Sequence, residues 1–201
     1  KIIMLDLTYD APTPSISANP TAYRLNGTDG NNSRSSLTWT TGGGESTSEV
    51  LERMRNGVVV ESLGQVNRSG NLSVAPTETS EFRLTASNPA FSRSSTVTVT
   101  VYVPPVITFT VDATDDTITQ GNSTTLRWTV TGDVNTVTID PGIGGSNLVS
   151  FTPISPTVDT LYTLTASGLG GTGSAQIQIS VLSLPTITVS GPINVLYGED
   201  I

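Results

Sequence analysis

The chain has 201 residues, a formal net charge of −8, and neither cysteine nor histidine. The absence of cysteine excludes disulfide bonds and zinc–thiolate sites, and the absence of histidine excludes hydrolase triads of the Ser-His-Asp type. The negative charge is the opposite of a basic nucleic-acid footprint, and no apolar run reaches the 18 residues of a membrane span. We therefore expect no nucleic-acid partner and no membrane insertion.

The composition indicates an all-β protein, and the charge is unevenly distributed along it. Thr, Ser and Val are abundant, there are 19 Gly and 12 Pro, and only 13% of the residues are charged. Such a profile is typical of many short strands joined by tight turns. Residues 11–103 carry seven Arg against one Asp and six Glu, whereas residues 104–184 carry only Arg127 against six Asp, a net charge of −5.

Residues 1–10 alternate loosely in polarity. Ile3, Leu5, Leu7 and Tyr9 share one parity, which predicts a single strand without a partner of its own. This strand either ends a preceding domain or lies on a neighbouring subunit, where it would attach by strand addition.

Two short patterns then occur twice. One has a central Trp, at residues 36–40 and 125–129, and the other ends in Leu-Thr-Ala-Ser, at residues 79–87 and 159–167. The two tryptophans are 89 positions apart, but the aromatic residues of the second pattern are 80 apart, so the first copy is about nine residues longer between its landmarks. Internal repetition of this kind predicts two copies of one small β domain. The expected core residues are Leu37, Trp39, Phe82 and Leu84 in the first copy, and Leu126, Trp128, Tyr162 and Leu164 in the second.

The domain boundaries follow from this repeat. Residues 11–103 are the first domain and residues 104–184 the second, with Pro104-Pro105 as a stiff, extended junction. Residues 185–201 restart the pattern that opens the second domain. They predict the beginning of a third, incomplete domain.

One segment of the first domain fits two structures. Ser46 and Glu49 match a helical capping box, whereas Asn56-Gly57 is a strong signal for a two-residue hairpin turn. We predict the hairpin. With paired numbers summing to 113, Met54 and Val59 would point inward, Arg53 would face Val60 on the outside, and Glu52 would lie opposite Glu61 as an exposed like-charge pair.

Three motifs carry possible site chemistry, and each has a plainer explanation. Asp112, Asp115 and Asp116 are a weak calcium candidate, because they lack the ordered spacing of a calcium loop. Glu49, Glu52 and Glu61 could supply the carboxylate pair of a glycosidase, but the sequence shows no environment that would make one of them its acid. Residues 168–173 spell Gly-x-Gly-x-x-Gly, but between two strands this predicts a flexible loop and no nucleotide. We expect no enzyme activity and no cofactor.

Aromatic residues are the remaining candidates for surface contact. Trp39 and Trp128 recur at an inward strand position, so we expect them in the core rather than as platforms for sugars. Tyr9, Tyr23 and Tyr102 are not constrained by the repeat and are the predicted surface contacts.

Three stretches of the second repeat resemble bacterial and phage immunoglobulin-like (Ig-like) repeats. They are Gly121-Asn-Ser-x-x-Leu-x-Trp-x-Val130, Val137-x-Ile-Asp-Pro-Gly-Ile-Gly144 and Leu161-Tyr-Thr-Leu-Thr-Ala166. The first repeat matches only in its Trp strand, its Phe82 strand and its closing strand. The resemblance implies tandem β-sandwiches of about seven strands each, arranged as an extended rod. Unlike antibody domains, the chain has its Trp on the second strand and no disulfide.

The same resemblance implies a non-enzymatic structural or adhesive protein. Our first hypothesis is a bacteriophage virion component, either a tail, fibre or capsid-associated appendage. Its partners would be other virion or surface-structure proteins, further copies of itself in a homo-oligomeric assembly, and host cell-surface glycans. The alternatives are an extracellular bacterial adhesin or surface-layer component, and a carbohydrate-binding accessory module of a secreted enzyme.

Overall fold

The computed structural model describes residues 9–26, 33–113, 116–188 and 190–191. Within these ranges the chain forms sixteen β-strands and no α-helix. The strand predicted for residues 1–10 lies almost wholly outside the described residues, as does most of the predicted third domain.

The strands fall into two sets of eight. The first set is β1 (Pro12–Asn19), β2 (Ala22–Arg24), β3 (Ser35–Gly43), β4 (Ser48–Arg55), β5 (Val58–Gln65), β6 (Ser69–Val74), β7 (Ser80–Ser87) and β8 (Ser92–Tyr102). The second set is β9 (Val106–Val111), β10 (Thr117–Thr119), β11 (Thr124–Thr131), β12 (Thr136–Asp140), β13 (Gly144–Ser146), β14 (Val149–Ile154), β15 (Thr160–Gly168) and β16 (Gly171–Leu182).

Both sets have the same topology. A three-stranded sheet, β1-β3-β6 or β9-β11-β14, packs against a five-stranded sheet, β2-β8-β7-β4-β5 or β10-β16-β15-β12-β13. The short second strand of each set pairs in parallel with the last strand, and the other pairs are antiparallel. This is a tandem of Ig-like sandwiches, and the predicted fold class is confirmed. Each sandwich has eight strands because the first strand is split between the two sheets.

The expected core positions are all buried, four in each of two separate clusters. Each cluster contains one Trp that is anchored in the same way. The indole N–H of Trp39 donates to the Asn67 carbonyl at 3.0 Å, and that of Trp128 donates to the Asn147 carbonyl at 2.9 Å. Burying such a ring contributes roughly 4–6 kcal/mol to the stability of the folded domain. The repeated Trp is therefore a major stabilising residue of each sandwich.

The predicted hairpin is formed by β4 and β5. Asn56 and Gly57 have φ angles of 50° and 77°, as a two-residue hairpin turn requires. The two strands run from residue 48 to 65 (18 residues), whereas β12 and β13 run from 136 to 146 (11 residues). The longer hairpin therefore accounts for most of the additional length of the first copy.

Two bulges in β5 change the faces that the hairpin presents. The predicted register holds for Met54 and Val59, but beyond them Arg53 lies opposite Glu61 instead of Val60. Met54 is buried as predicted, with 6% of its surface exposed, but it lies beside Glu81 and is not part of the core cluster. The prediction that Arg53 faces outward is wrong, because β4 also pairs with β7 and Arg53 lies opposite Phe82 on the core-facing side.

Candidate functional site

Only two of the three aspartates of the calcium candidate, Asp112 and Asp116, lie in the described part of the chain. Asp115 lies outside the described residues, and Asp116 lies in a turn with φ of 53°. The carboxylate of Asp112 accepts hydrogen bonds from Arg127 Nε at 2.8 Å and Nη2 at 2.9 Å. Among the described residues no group of three or more acidic side chains is placed to hold an ion.

The predicted like-charge pair of Glu52 and Glu61 is also wrong. The bulges move the two residues out of register, and each carboxylate pairs with an arginine. Glu52 accepts from Arg83 Nη2 at 2.8 Å, and Glu61 accepts from Arg53 Nε at 3.0 Å. Two carboxylates bound to separate guanidinium groups do not form the acid–nucleophile pair of a glycosidase.

Of the three predicted surface tyrosines, Tyr23 is buried. It is only 2% exposed, and its hydroxyl donates to the Pro76 carbonyl. Its strand, β2, pairs with β8 as the edge strand of the five-stranded sheet, and the Tyr23 side chain is part of the core cluster. Burial raises the pKa of the Tyr23 phenol. Tyr9 is partly buried, and Tyr102 is partly buried at the junction of the two copies beside Leu169.

An exposed aromatic ring and an ion pair lie together on the outer face of the β9-β11-β14 sheet. Arg127 stands between Thr110 and Phe151 in one row of this sheet. Its guanidinium lies 5.4 Å from the centre of the Phe151 ring, within cation–π range, and is paired to Asp112. Phe151 is 64% exposed. We call this surface the Arg127 face; its residues are Thr108, Thr110, Arg127, Thr129, Val149 and Phe151.

The charges of this face balance locally. The hydrogen bonds from Arg127, together with its positive charge, lower the pKa of Asp112 and outweigh the opposing effect of desolvation. The two bonds to Asp112 use two of the five guanidinium N–H groups. The face therefore offers fixed donors, acceptors and an exposed ring, with no net charge, on a domain whose net charge is −5.

The equivalent face of the first copy is entirely polar. Superposing the tryptophans by register puts Thr38 at the Arg127 position, Asn71 at the Phe151 position and Ser69 at the Val149 position. The remaining equivalent positions are Ser15, Ser17 and Thr40. The same sandwich thus folds without an aromatic, aliphatic or charged side chain here. Sequence reasoning missed the face, although Arg127 was visible as the single basic residue of an acidic half.

The two copies meet at a junction held by backbone contacts. Asp133 N–H donates to the Val103 carbonyl at 2.9 Å, and Val103 N–H donates to Asp133 Oδ2 at 2.6 Å. Arg24 Nε donates to the Leu169 carbonyl at 3.0 Å. Within the second sandwich, Gly170 N–H donates to the Asp133 carbonyl at 3.0 Å and so joins the two loops that meet the first. Two loops of the second sandwich therefore bind the end of the first.

The Gly-x-Gly-x-x-Gly stretch lies at this junction, and the prediction of a flexible loop there is wrong. Gly170 is buried, and a Cβ atom on it would lie 2.0 Å from the Val103 carbonyl oxygen. A Cβ on Gly168 would lie 2.4 Å from the Asp133 carbonyl oxygen. Glycine is required because two backbones approach each other more closely than any side chain allows.

The described part of the chain contains no apolar helix of membrane-spanning length. No protein-family model and no curated protein sequence matches the chain.

Solved structures of tandem Ig domains are similar to it. They include an I-band fragment from titin (TM-score 0.51, 13% identity, 88% of this chain and 67% of that chain). A three-Ig titin variant has a TM-score of 0.52 with the same identity and coverage. The N-terminal four Ig domains of Dscam1 isoform 7.44 have a TM-score of 0.51 and 16% identity, over 90% of this chain and 48% of that chain. At these identities the similarity shows the fold alone.

Proposed function

We propose that the chain is a non-enzymatic structural and adhesive segment of a surface assembly, specifically a bacteriophage tail, fibre or capsid-associated appendage. The observation that carries the adhesive part is the difference between the two copies. Exposed aromatic residues and arginine are enriched in binding surfaces. Phe151 and Arg127 have that exposure, and the polar face of the first copy shows that the sandwich does not need them for folding.

The structural part is supported by the junction. Only residues 103–105 separate the last strand of one sandwich from the first strand of the next. The middle of this linkage is bound on both sides, because Val103 and Asp133 exchange hydrogen bonds through N–H, carbonyl and carboxylate groups. A short, bonded linkage limits the motion of the Arg127 face relative to the first copy, as suits a projecting appendage.

For the ligand of this face we propose neutral glycans of a host cell surface. The Phe151 ring can stack on the apolar side of a sugar, while Arg127, Asp112 and the threonines can exchange hydrogen bonds with its hydroxyls. The acidic second sandwich repels anionic glycans. Neutral sugars therefore fit better than sialylated or phosphorylated ones.

A glycan array carrying neutral and anionic oligosaccharides tests the adhesive part with the full chain. Phe151→Ala should lower binding to neutral glycans by about fivefold or more, taking as a guide the roughly 1–3 kcal/mol that a nucleic-acid base gains by stacking on an aromatic side chain. The matched control is Asn71→Ala at the equivalent position of the first copy. Equal binding by both variants would remove the Arg127 face from the proposal.

Cryo-electron microscopy of the native source tests the virion assignment. Density repeating symmetrically around a capsid or tail would support it. Isolated rods projecting from a cell envelope would replace it with the bacterial adhesin.

A further inference from the structure

A groove runs along one side of the first sandwich, between its two sheets. It encloses about 430 Å³ and is lined by residues from β5, β6 and the core. The ion pair of Arg53 and Glu61, with an N–O distance of 3.0 Å, is part of its wall. We call it the lateral groove; the residues used below are Arg53, Glu61, Leu63, Leu72, Val74 and Phe82.

Both strands that border the lateral groove are edge strands. In the described sheets β5 and β6 each have a neighbour on one side only. Edge strands present unpaired N–H and C=O groups to any strand that approaches. Neither strand contains a proline, and Val58 at the start of β5 is 64% exposed. The two bulges of β5 are the only irregularity along these edges.

The same side of the second sandwich is closed to strand addition. Its edge strand β13 has three residues, two of them glycine, and its edge strand β14 contains Pro153. The corresponding hollow, of about 380 Å³, is also lined by Pro141 and Pro156, whereas the lateral groove is lined by one proline, Pro76, which lies outside its edge strands. Proline lacks the N–H that a neighbouring strand would bind, so it blocks pairing. Both sandwiches have a hollow on this side, and long edge strands without proline are what distinguish the first copy.

We propose that the lateral groove binds an extended strand supplied by a second copy of this chain, namely residues 3–9. A strand that adds to a sheet edge needs apolar side chains at alternate positions to fill the groove. Ile3, Leu5, Leu7 and Tyr9 provide that pattern. In this arrangement they contact Leu72, Val74 and their neighbours, while the side chains between them face solvent.

The position of Asp10 favours a second copy over the same chain. Its carbonyl accepts a hydrogen bond from Asn88 Nδ2 at 2.9 Å, at the end of the sandwich where β4 begins. Arg53, Glu61 and Val74 lie towards the opposite end, near the turn of the hairpin. The strand of the same chain would have to reverse and pass along the sandwich, whereas that of a neighbour enters freely.

Disulfide trapping tests the contact directly, because the chain has no cysteine. Two differently tagged full-length chains are mixed, one carrying Leu5→Cys and the other Leu72→Cys, and then oxidised. We expect a mixed dimer, since a disulfide forms only when the two Cα atoms come within about 7 Å. Asp6→Cys, on the opposite parity, is the matched control and should give at least tenfold less dimer.

Sedimentation of the full chain supplies the second measurement. Leu72→Lys should lower the association constant at least tenfold, whereas Asn71→Lys, one position away on the outer face, should leave it unchanged. Leu5→Lys should lower the association constant as much as Leu72→Lys does. Because Leu5 does not line the groove, this loss cannot come from misfolding of the first sandwich. Equal dimer from Leu5→Cys and Asp6→Cys, or no loss with Leu5→Lys, would overturn the proposal.

This inference deepens the assembly part of the proposed function and is independent of the Arg127 face. Glycan binding per chain should be retained in Leu5→Lys. A failure of one proposal is thus distinguishable from a failure of the other.

Discussion

Replacing Gly170 by alanine should loosen the junction without unfolding either sandwich. The new Cβ would lie 2.0 Å from the Val103 carbonyl oxygen and 2.8 Å from its carbon. Cβ atoms essentially never approach other heavy atoms closer than 3.0 Å. The two backbones must therefore separate by about 1 Å. The φ angle of Gly170 is not in the left-handed region, so the perturbation is steric and not conformational.

The expected loss can be worked out from the bonds at the junction. Separation by this distance breaks the bond from Asp133 N–H to the Val103 carbonyl and weakens that from Arg24 Nε to the Leu169 carbonyl. At about 0.5–1.5 kcal/mol for each hydrogen bond, the junction loses about 1–3 kcal/mol. The cores of the two sandwiches share no residue, so the unfolding free energy of each should change little.

Residual dipolar couplings measured by NMR report whether the two sandwiches move relative to each other. In the parent chain both sandwiches should share one alignment tensor, whereas in Gly170→Ala the tensors should differ in magnitude because the sandwiches move separately. Gly145→Ala is the matched control, since a Cβ at Gly145 meets no atom within 4 Å. If Gly170→Ala leaves one common tensor, the junction does not hold the two sandwiches together as described.

Two further predictions concern single side chains. Tyr23→Phe removes the hydroxyl that binds the Pro76 carbonyl and should destabilise the first sandwich by about 1–2 kcal/mol, leaving the second unchanged. Urea unfolding followed by the fluorescence of Trp39 and Trp128 separates the two transitions. For Asp112, Arg127→Met should raise the carboxyl pKa back towards its ordinary value near 4, as read from an NMR titration. A lowered pKa means that this ion pair stabilises the fold above the ordinary pKa, and that its contribution is lost as the pH falls through the lowered value. An unchanged pKa in Arg127→Met would contradict that assignment.

The repeated landmarks made the fold predictable. Trp39 and Trp128 recur in the same local pattern, and a side chain of that size at an inward position leaves little freedom in how the sandwich packs. Asn56-Gly57 likewise specified its hairpin, because both residues had to adopt positive φ angles. These are local constraints, and a single sequence contains them.

The errors came from features that depend on a third element. The bulges of β5 were not visible in the hairpin sequence, since it is the continuous pairing of β4 with β7 that keeps Arg53 on the side of Phe82. The burial of Tyr23 depends on β8, which lies almost 80 positions further along the chain. Gly170 appeared to be a loop residue because the Val103 carbonyl that excludes a side chain belongs to another domain.

The two copies serve as controls for each other, and this separates folding from function. Where their chemistry agrees, as in the Trp–Asn bonds, the shared feature is what the sandwich needs. Where they differ at equivalent positions, the fold does not require a particular side chain, and the two copies carry different ones. The second copy exposes Phe151 and Arg127 on a face that is polar in the first. The first copy has edge strands without proline beside its groove, whereas an edge strand of the second contains Pro153. Under the two proposals the second copy binds the ligand and the first carries the assembly contact, so exchanging the two sets of residues between copies should exchange the two activities.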